Sequence, residues 1–382
     1  MKIGIIGAGE RAAAMCHAFR SLDMGVQIAC IADPNPERSK VLLAQNEFNA
    51  DEIKFYPDAD SMLDNETPDG VMVGTSCSIH TEMGIKVMER NLPLFLEKPV
   101  STTESDLERL KNASKNYKNQ AVVSFPLRLT AIAQRVKEII DSGLIGKVEH
   151  VQAVNNVNYG TVYYKNWYRD ENETGGLWLQ KATHDIDYIN YLLGYEPVSV
   201  CAVSSKQIFK GNKTAGLKCA ECDERSSCTE SDINVRSKRH DTVNGDYCCF
   251  AEDTGNEDSG SLIITYDTGM HAVYSQNFFV RHDAGKRGAR LIGYDGTIEF
   301  DWKTDTLTVY MHNQPRTETV KFNTFAMSHG GGDTELARNF INVIKGVEDS
   351  KSTLTDGIKS AAICLAAKRS AKTGTFQNIV KF

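Results

Sequence analysis

The chain has 382 residues, 41% of them hydrophobic and 24% charged, an ordinary composition for a packed protein. That length exceeds the size at which a single core usually stops growing, so two domains are expected. Lys and Arg number 43 against 50 acids, for a net charge of -7, a balance that argues against nucleic acid or an anionic membrane as the partner.

Lys2 to Ile6 reads as a short strand that runs straight into a glycine turn. The start lacks the long apolar region and cleavage site of a leader peptide. No stretch nears the roughly 18 apolar residues of a spanning helix, so a soluble, cytoplasmic protein is expected. Met15, Ala18, Phe19 and Leu22 then recur at helical spacing. Gln27 to Ala32, Gly70 to Gly74, Pro93 to Leu96 and Ala121 to Phe125 are further strand-like runs, and Ser101 with Glu104 reads as a capping box before Leu107 and Leu110. Strands alternating with helices predict a doubly wound parallel sheet, a Rossmann domain over residues 1–125.

The pattern changes after Ala131 to Ser142, a predicted helix. Val148 to Val157, Val198 to Val203, Ser261 to Tyr266, Ala272 to Phe279, Ala289 to Ile292, Thr297 to Phe300 and Thr306 to Met311 follow as strands with few helices between them. They predict an α+β domain over residues 126–382 with a large, mostly antiparallel open sheet. Thr334 to Val343 and Ile358 to Ser370 close the chain as helices. Lys206 to Ser259 is polar and cysteine-bearing, too long for an ordinary connection, and reads as a functional or metal-stapled insertion.

Gly7, Gly9 and Ala12 lie in G-A-G-E-R-A, directly after the first strand. The first glycine permits the tight turn, the second lets backbone approach a pyrophosphate, and a small third residue lets helix pack on strand. The helix N-terminus then offers its unpaired N–H groups to phosphate. Asp33 ends the second strand, where a carboxylate accepts from ribose hydroxyls and repels a 2′-phosphate. NAD is therefore favoured over NADP, with Arg38 nearby as the residue able to pair with a phosphate.

Lys98, within Glu97-Lys98-Pro99, sits at the carboxyl end of a parallel strand, where ligands bind in open α/β sheets. Such a lysine can stabilise an alkoxide as hydride leaves. The glycine turn, Asp33, the run Thr75 to His80, the Glu97-Lys98-Pro99 tripeptide, Gly175-Gly176, and His184 with Asp187 together resemble the Gfo/Idh/MocA oxidoreductases, in order along nearly the whole chain. The resemblance implies a nicotinamide-dependent enzyme of sugars or polyols that assembles through its open sheet as a homodimer or homotetramer. It sets Thr75, Ser76, His80 and Glu97 with Lys98 at the cofactor, Lys98 at the reacting hydroxyl, and His184 as general acid/base.

Four residues before His184 the family often has a carboxylate; this chain has Gln180, an amide that cannot carry the proton. On a helix Gln180, His184 and Asp187 fall near one face, so Gln180 could orient a hydroxyl and Asp187 hold the imidazole tautomer. Tyr159, Trp167 and their aromatic neighbours suit the apolar face of a sugar, and Arg128 and Asn158 are further candidates for substrate contacts. His329 to Asp333 is a glycine-rich turn, read either as a helix entry capped by Asp333 or as a place where His329 meets substrate.

Of ten cysteines, Cys219, Cys222 and Cys228 cluster in the insertion, and Cys248 and Cys249 follow. A structural Zn²⁺ is one reading; free thiols, disulfides and an iron–sulfur cluster are the others. Relatives in the resembling family suggest Cys248 as the fourth ligand, with His240 in reserve. Cys16, Cys30, Cys201 and Cys364 fall in periodic segments and read as small buried hydrophobes. Three functions stay open: a dehydrogenase, an NAD-dependent glycoside hydrolase that oxidises its sugar transiently, and a non-catalytic NAD- and sugar-binding regulator.

Overall fold

A computed structural model of the chain describes residues 1–239, 242–324 and 327–380. Its first layer is one parallel sheet of β1 (Lys2–Ile6), β2 (Gln27–Ala32), β3 (Lys54–Tyr56), β4 (Gly70–Val73), β5 (Leu94–Leu96) and β6 (Ala121–Val123), in the order 3-2-1-4-5-6. Every residue of β4, β5 and β6 is buried, as strands covered on both faces must be. The covering helices include α1 (Glu10–Ser21), α2 (Pro36–Gln45), α3 (Ala59–Asn65), α4 (His80–Glu89) and α5 (Glu104–Ser114). Order reverses between β1 and β4, which opens a crevice at the carboxyl ends of the strands.

The cap of α5 differs from the expected Ser101–Glu104 box. Glu104 is already helical, so the preceding Thr103 accepts from the Asp106 amide at 3.1 Å, while Ser101 donates to the Thr103 carbonyl.

The second layer begins with α6 (Ala131–Asp141) and β7 (Val148–Asn156). Short helices α7 (Val162–Lys165) and α8 (Glu171–Thr174) lead to a π turn, Trp178–Ala182, that runs into α9 (Thr183–Leu193). Then come β8 (Pro197–Ser205), α10 (Asp232–Lys238), β9 (Ser259–Tyr266), β10 (His271–Asn277), β11 (Lys286–Gly293), β12 (Gly296–Asp301), β13 (Thr306–Met311), β14 (Thr317–Lys321), α11 (Gly332–Ile344), α12 (Leu354–Thr373) and β15 (Gln377–Asn378). The nine strands lie in the order 14-13-12-11-7-10-9-8-15. All pairings are antiparallel except β7 with β10.

Burial alternates along β8, β9 and β10, because one face packs on helices and the other meets solvent. Tyr188 of α9 packs edge-on against Phe300 and Trp302 beneath the covered face. Late in the chain α11 returns to the first layer, where Phe340 packs against Phe19 and Phe95 at centroid distances of 6.0 and 5.5 Å. Among the described residues no helix is long and apolar enough to cross a membrane.

Residues 206–259 fold back on the aromatic segment after β7. Phe209 and Cys249 share a small core with Val157, Tyr163, Tyr164, Leu177 and Phe278. The Asn256 amide donates to the carbonyls of Tyr163 and Tyr168 at 2.8 Å each, and Arg169 pairs with Asp253. The insertion thus buttresses the segment that carries Tyr159 to Arg169.

Candidate active site

The glycine turn builds an open cradle at the end of β1. Gly7 has φ +81, and a Cβ there would lie 2.6 Å from Thr75 Cγ2, so only glycine fits. A Cβ on Gly9 would meet nothing nearer than the Gly74 carbonyl at 3.9 Å, which leaves room for a ligand against backbone. Ala12 lies against Gly74 so closely that a Cβ at residue 74 would come within 3.0 Å of its own. No side chain caps α1, so its first amides face the crevice. Asp33 accepts from the amides of Ala8 at 2.9 Å and Asn35 at 2.8 Å, holding the turn against the end of β2. Arg38 is exposed on the first turn of α2. An open glycine turn, free helix amides and a terminal carboxylate together fit a dinucleotide.

Thr75 and Ser76 are half-buried at the end of β4. His80 is placed differently from a cofactor contact: it is buried, with its two ring nitrogens 2.8 Å from the Pro99 carbonyl and 3.1 Å from the Thr75 carbonyl. It braces the backbone around the Lys98–Pro99 bond, which is cis. Burial pushes its imidazolium below the ordinary range.

Lys98 reaches from the first layer to the second, and its ammonium donates to the Gln180 carbonyl at 2.6 Å. That carbonyl belongs to the π turn, a widened helical turn of a kind frequent at functional sites. Burial lowers the lysine to about 8 against the pull of Cys77, and the charge of Lys181 adds to the lowering. His184 lies beside it, buried, its ring 6.1 Å from Phe125 and 6.2 Å from His329. Desolvation, then the charges of Lys98, Arg287, His329 and Lys181, hold His184 well below its ordinary value, so the imidazole is neutral. Its Nδ1 and the Gln180 Oε1 are buried and without hydrogen-bond partners among the described residues.

Asp187 does not hold the His184 ring. It is buried against Arg128, whose Nε and Nη2 grip both carboxylate oxygens, and Arg128 also pairs with Asp356 at 3.1 Å. Arg128, expected at the substrate, and Asp187, expected at the imidazole or the substrate, are thereby joined to each other, because a buried guanidinium and carboxylate each need the other to offset lost hydration. Among the other substrate candidates, Asn158 donates to the His282 carbonyl at 2.9 Å and accepts from Lys303 at 3.2 Å. Trp167 is exposed and stacks on Tyr168 with centroids 4.0 Å apart. The Tyr159 hydroxyl accepts from Lys181, which lies in the π turn beside Gln180.

Several site residues escaped the sequence reading. Arg11, in the glycine motif itself, donates to Glu97 at 3.0 Å, Ser124 at 3.1 Å and Asp333 at 2.6 Å. Glu97 is thus part of an ion-pair cluster. Asp333 does not cap α11; it is the second residue of that helix, and it also accepts from Ser328 and faces His329 Nδ1 at 2.8 Å. Burial alone would raise its carboxyl, but His329 and Arg11 hold it well below the usual range. Arg287 on β11 pairs with Asp185 at 2.8 Å, and Asp185 also accepts from Asn155 and Tyr274. The motif lettering offered one cue, Arg11; Arg287 has none, because its partners are made by strand register.

The expected zinc is not supported. Among the described residues no group of three or more His, Cys, Asp or Glu is arranged to hold a metal ion, and all ten cysteines are free. Cys219, Cys222, Cys228 and Cys248 lie on an insertion held by other bonds: Arg225 with Asp232, Glu230 with Arg239 and Arg281, and the Asn256 amide. His240, the reserve ligand, lies outside the described residues. Cys16, Cys30 and Cys364 are buried as small hydrophobes, whereas Cys201 is half-buried because it faces outward from β8.

Comparison with known proteins settles the lineage. Residues 1–125 match the oxidoreductase-family NAD-binding Rossmann fold, and residues 137–381 match the C-terminal alpha/beta domain of the same family. The chain belongs to the Gfo/Idh/MocA oxidoreductase family. It is 26% identical over 350 residues to the oxidoreductase YteT of Bacillus subtilis, covering 81% of each chain. It is 29% identical over 187 residues to the scyllo-inositol 2-dehydrogenase (NAD(+)) of the same organism, covering 46% of this chain and 49% of that one. A solved levoglucosan dehydrogenase, in complex with NADH and levoglucosan, superposes over the full length of both chains with a TM-score of 0.79 at 19% identity. The protein is therefore an NAD-binding oxidoreductase of this family.

Proposed function

We propose that this oxidoreductase dehydrogenates a sugar, polyol or sugar derivative, with Lys98 and His184 at the reacting hydroxyl. The observation that carries the reading is the convergence of the part-buried Lys98 ammonium and a buried imidazole, His184, whose Nδ1 has no partner among the described residues. Bound NAD supplies the hydride acceptor. His184, neutral at pH 7, accepts the hydroxyl proton. Lys98 holds the oxygen as its charge grows. Gln180 directs its amide at a neighbouring hydroxyl but moves no proton. Asp33 favours NAD over NADP.

The same reading makes residues 1–125 the cofactor domain and 126–382 the substrate and assembly domain of a cytoplasmic homo-oligomer. Supporting assembly, the open sheet face exposes Val203 and Ile263, and a closed dimer or tetramer would cover them. The test is His184→Ala. NAD affinity should persist while turnover falls by roughly 10² or more; turnover within a few-fold of the parent would refute the assignment.

A further inference from the structure

Resting on the dehydrogenase reading above, we propose that the substrate is an acidic sugar, whose carboxylate is gripped by Lys181 and Arg287 while its reacting hydroxyl meets Lys98 and His184.

Lys98 donates to the Gln180 carbonyl, Lys181 follows in the same π turn, and that turn runs into the helix of His184; Lys98, Lys181 and Arg287 all act electrostatically on His184. Among the described residues only Arg287 has a carboxylate in ion-pair contact, Asp185; Asp185 acts on Lys181, and Glu97 on Lys98, without such contact. The ammonium of Lys98 rests on a backbone carbonyl, and that of Lys181 on the Tyr159 phenol. The nearby Glu97 and Asp333 are both engaged by Arg11. Farther out, Lys303 stands 5.8 Å above the Tyr159 ring and adds a cation at the rim.

Buried ammonium groups without counter-ions are costly, and they persist where a ligand supplies the missing charge. Lys98 is committed to the developing alkoxide, which leaves Lys181 as one buried cation with no carboxylate in contact among the described residues. One positive charge calls for a monoanion, which favours a carboxylate over a phosphate dianion. Arg287 then supplies the second donor. Its Nε is held by Asp185 at 2.8 Å, while its Nη2 is buried and unpartnered among the described residues. A guanidinium fixed on one edge and free on another is a preorganised carboxylate fork. The amide at residue 180 agrees with this, since a carboxylate there would repel an acidic substrate. Tyr159 responds to the same field: burial would raise its phenol, but Lys181, Arg287 and Lys303 outweigh that and bring it to about 8.

The experiment is calorimetric titration of the NADH-loaded protein with matched pairs: D-glucuronate against D-glucose, D-galacturonate against D-galactose, and each hexose 6-phosphate. The parallel variant is Lys181→Met, which removes a buried charge without orphaning a carboxylate and so should fold. At least one uronate should bind about tenfold or more tighter than its parent hexose, and Lys181→Met should abolish that preference, uronate and hexose then binding within about threefold of each other. Equal or tighter binding of a neutral hexose would overturn the acidic-substrate proposal and leave the dehydrogenase reading standing. Preference for a hexose phosphate would overturn the carboxylate assignment in the same way. Failure of every sugar to bind would overturn the proposal together with the sugar reading beneath it.

Discussion

Replacing Lys98 with Met should make the protein slower and slightly more stable at once. In the folded chain burial lowers the lysine from 10.5 to about 8. At about 1.4 kcal/mol per pKa unit, the fold disfavours the ammonium by roughly 3 kcal/mol at pH 7. The group binds more protons unfolded than folded between those two values, so the parent gains stability as pH climbs from about 8 through 10.5. Lys98→Met removes that penalty and also the bond to the Gln180 carbonyl, a loss of about 1–2 kcal/mol. The net gain at pH 7 is then about 1–2 kcal/mol. A chain of 382 residues has an unfolding entropy near 0.8 kcal/mol/K at about 2.1 cal/mol/K per residue, so Tm should rise by about 1–2 °C. Above pH 10.5 the gain should vanish, because the parent amine is neutral in both states. Loss of the oxyanion donor should lower kcat/KM by about 10²–10³. Scanning calorimetry at two pH values and steady-state rates check both halves. A Tm several degrees lower at pH 7, or kcat/KM within tenfold of the parent, would refute the reasoning.

Other expectations concern pH, the buried pair and the glycine turn. The profile of log(kcat/KM) should fall on the alkaline side near 8, as Lys98 loses its proton, and on the acid side below the ordinary histidine value of 6.5, as His184 gains one; an acid limb above 6.5 would contradict a depressed His184. Asp187→Ala takes the two-oxygen partner from Nε and Nη2 of the buried Arg128, which keeps Asp356 and the Lys351 carbonyl on Nη1, and should cost about 3 kcal/mol in urea unfolding, with the activity of the folded fraction little changed. Gly7→Ala forces a Cβ to within 2.7 Å of Thr75 backbone atoms at a left-handed φ, and should weaken NAD binding by at least about tenfold by fluorescence titration.

Local chemistry is what the sequence made legible. Gly7, Gly9 and Asp33 follow from a turn and a strand end, and the parallel first sheet follows from alternating apolar runs. The sequence singled out Lys98 at its strand end and His184 by its motif, and the fold brings Lys98 to the turn that precedes the His184 helix; the π form of that turn left no mark in the spacing of Gln180 and His184. Long-range pairing was not legible. Arg11 meets Asp333 across 322 positions and Arg128 meets Asp187 across 59, and no periodicity reports which buried cation will find which acid. The same blindness misassigned Asp187, which shares a helix with His184 but whose two carboxylate oxygens are taken by Arg128. β3, with three residues, and β15, with two, are too short to show an alternation. The insertion is a different case: its clustered cysteines suggested a metal, no metal-holding arrangement forms among the described residues, and the chain there is held by ion pairs and by Asn256.

The most direct test is to supply the purified protein with NAD and a panel of neutral sugars, polyols, uronates and chromogenic glycosides, and to follow nicotinamide reduction and aglycone release together. Net NADH is expected with a free sugar, polyol or sugar acid, at a rate that Lys98→Met lowers by about 10²–10³. Aglycone release without net NADH, or silence in both channels while NAD and sugar bind, would contradict it and point to the redox-assisted hydrolase or to a binding protein.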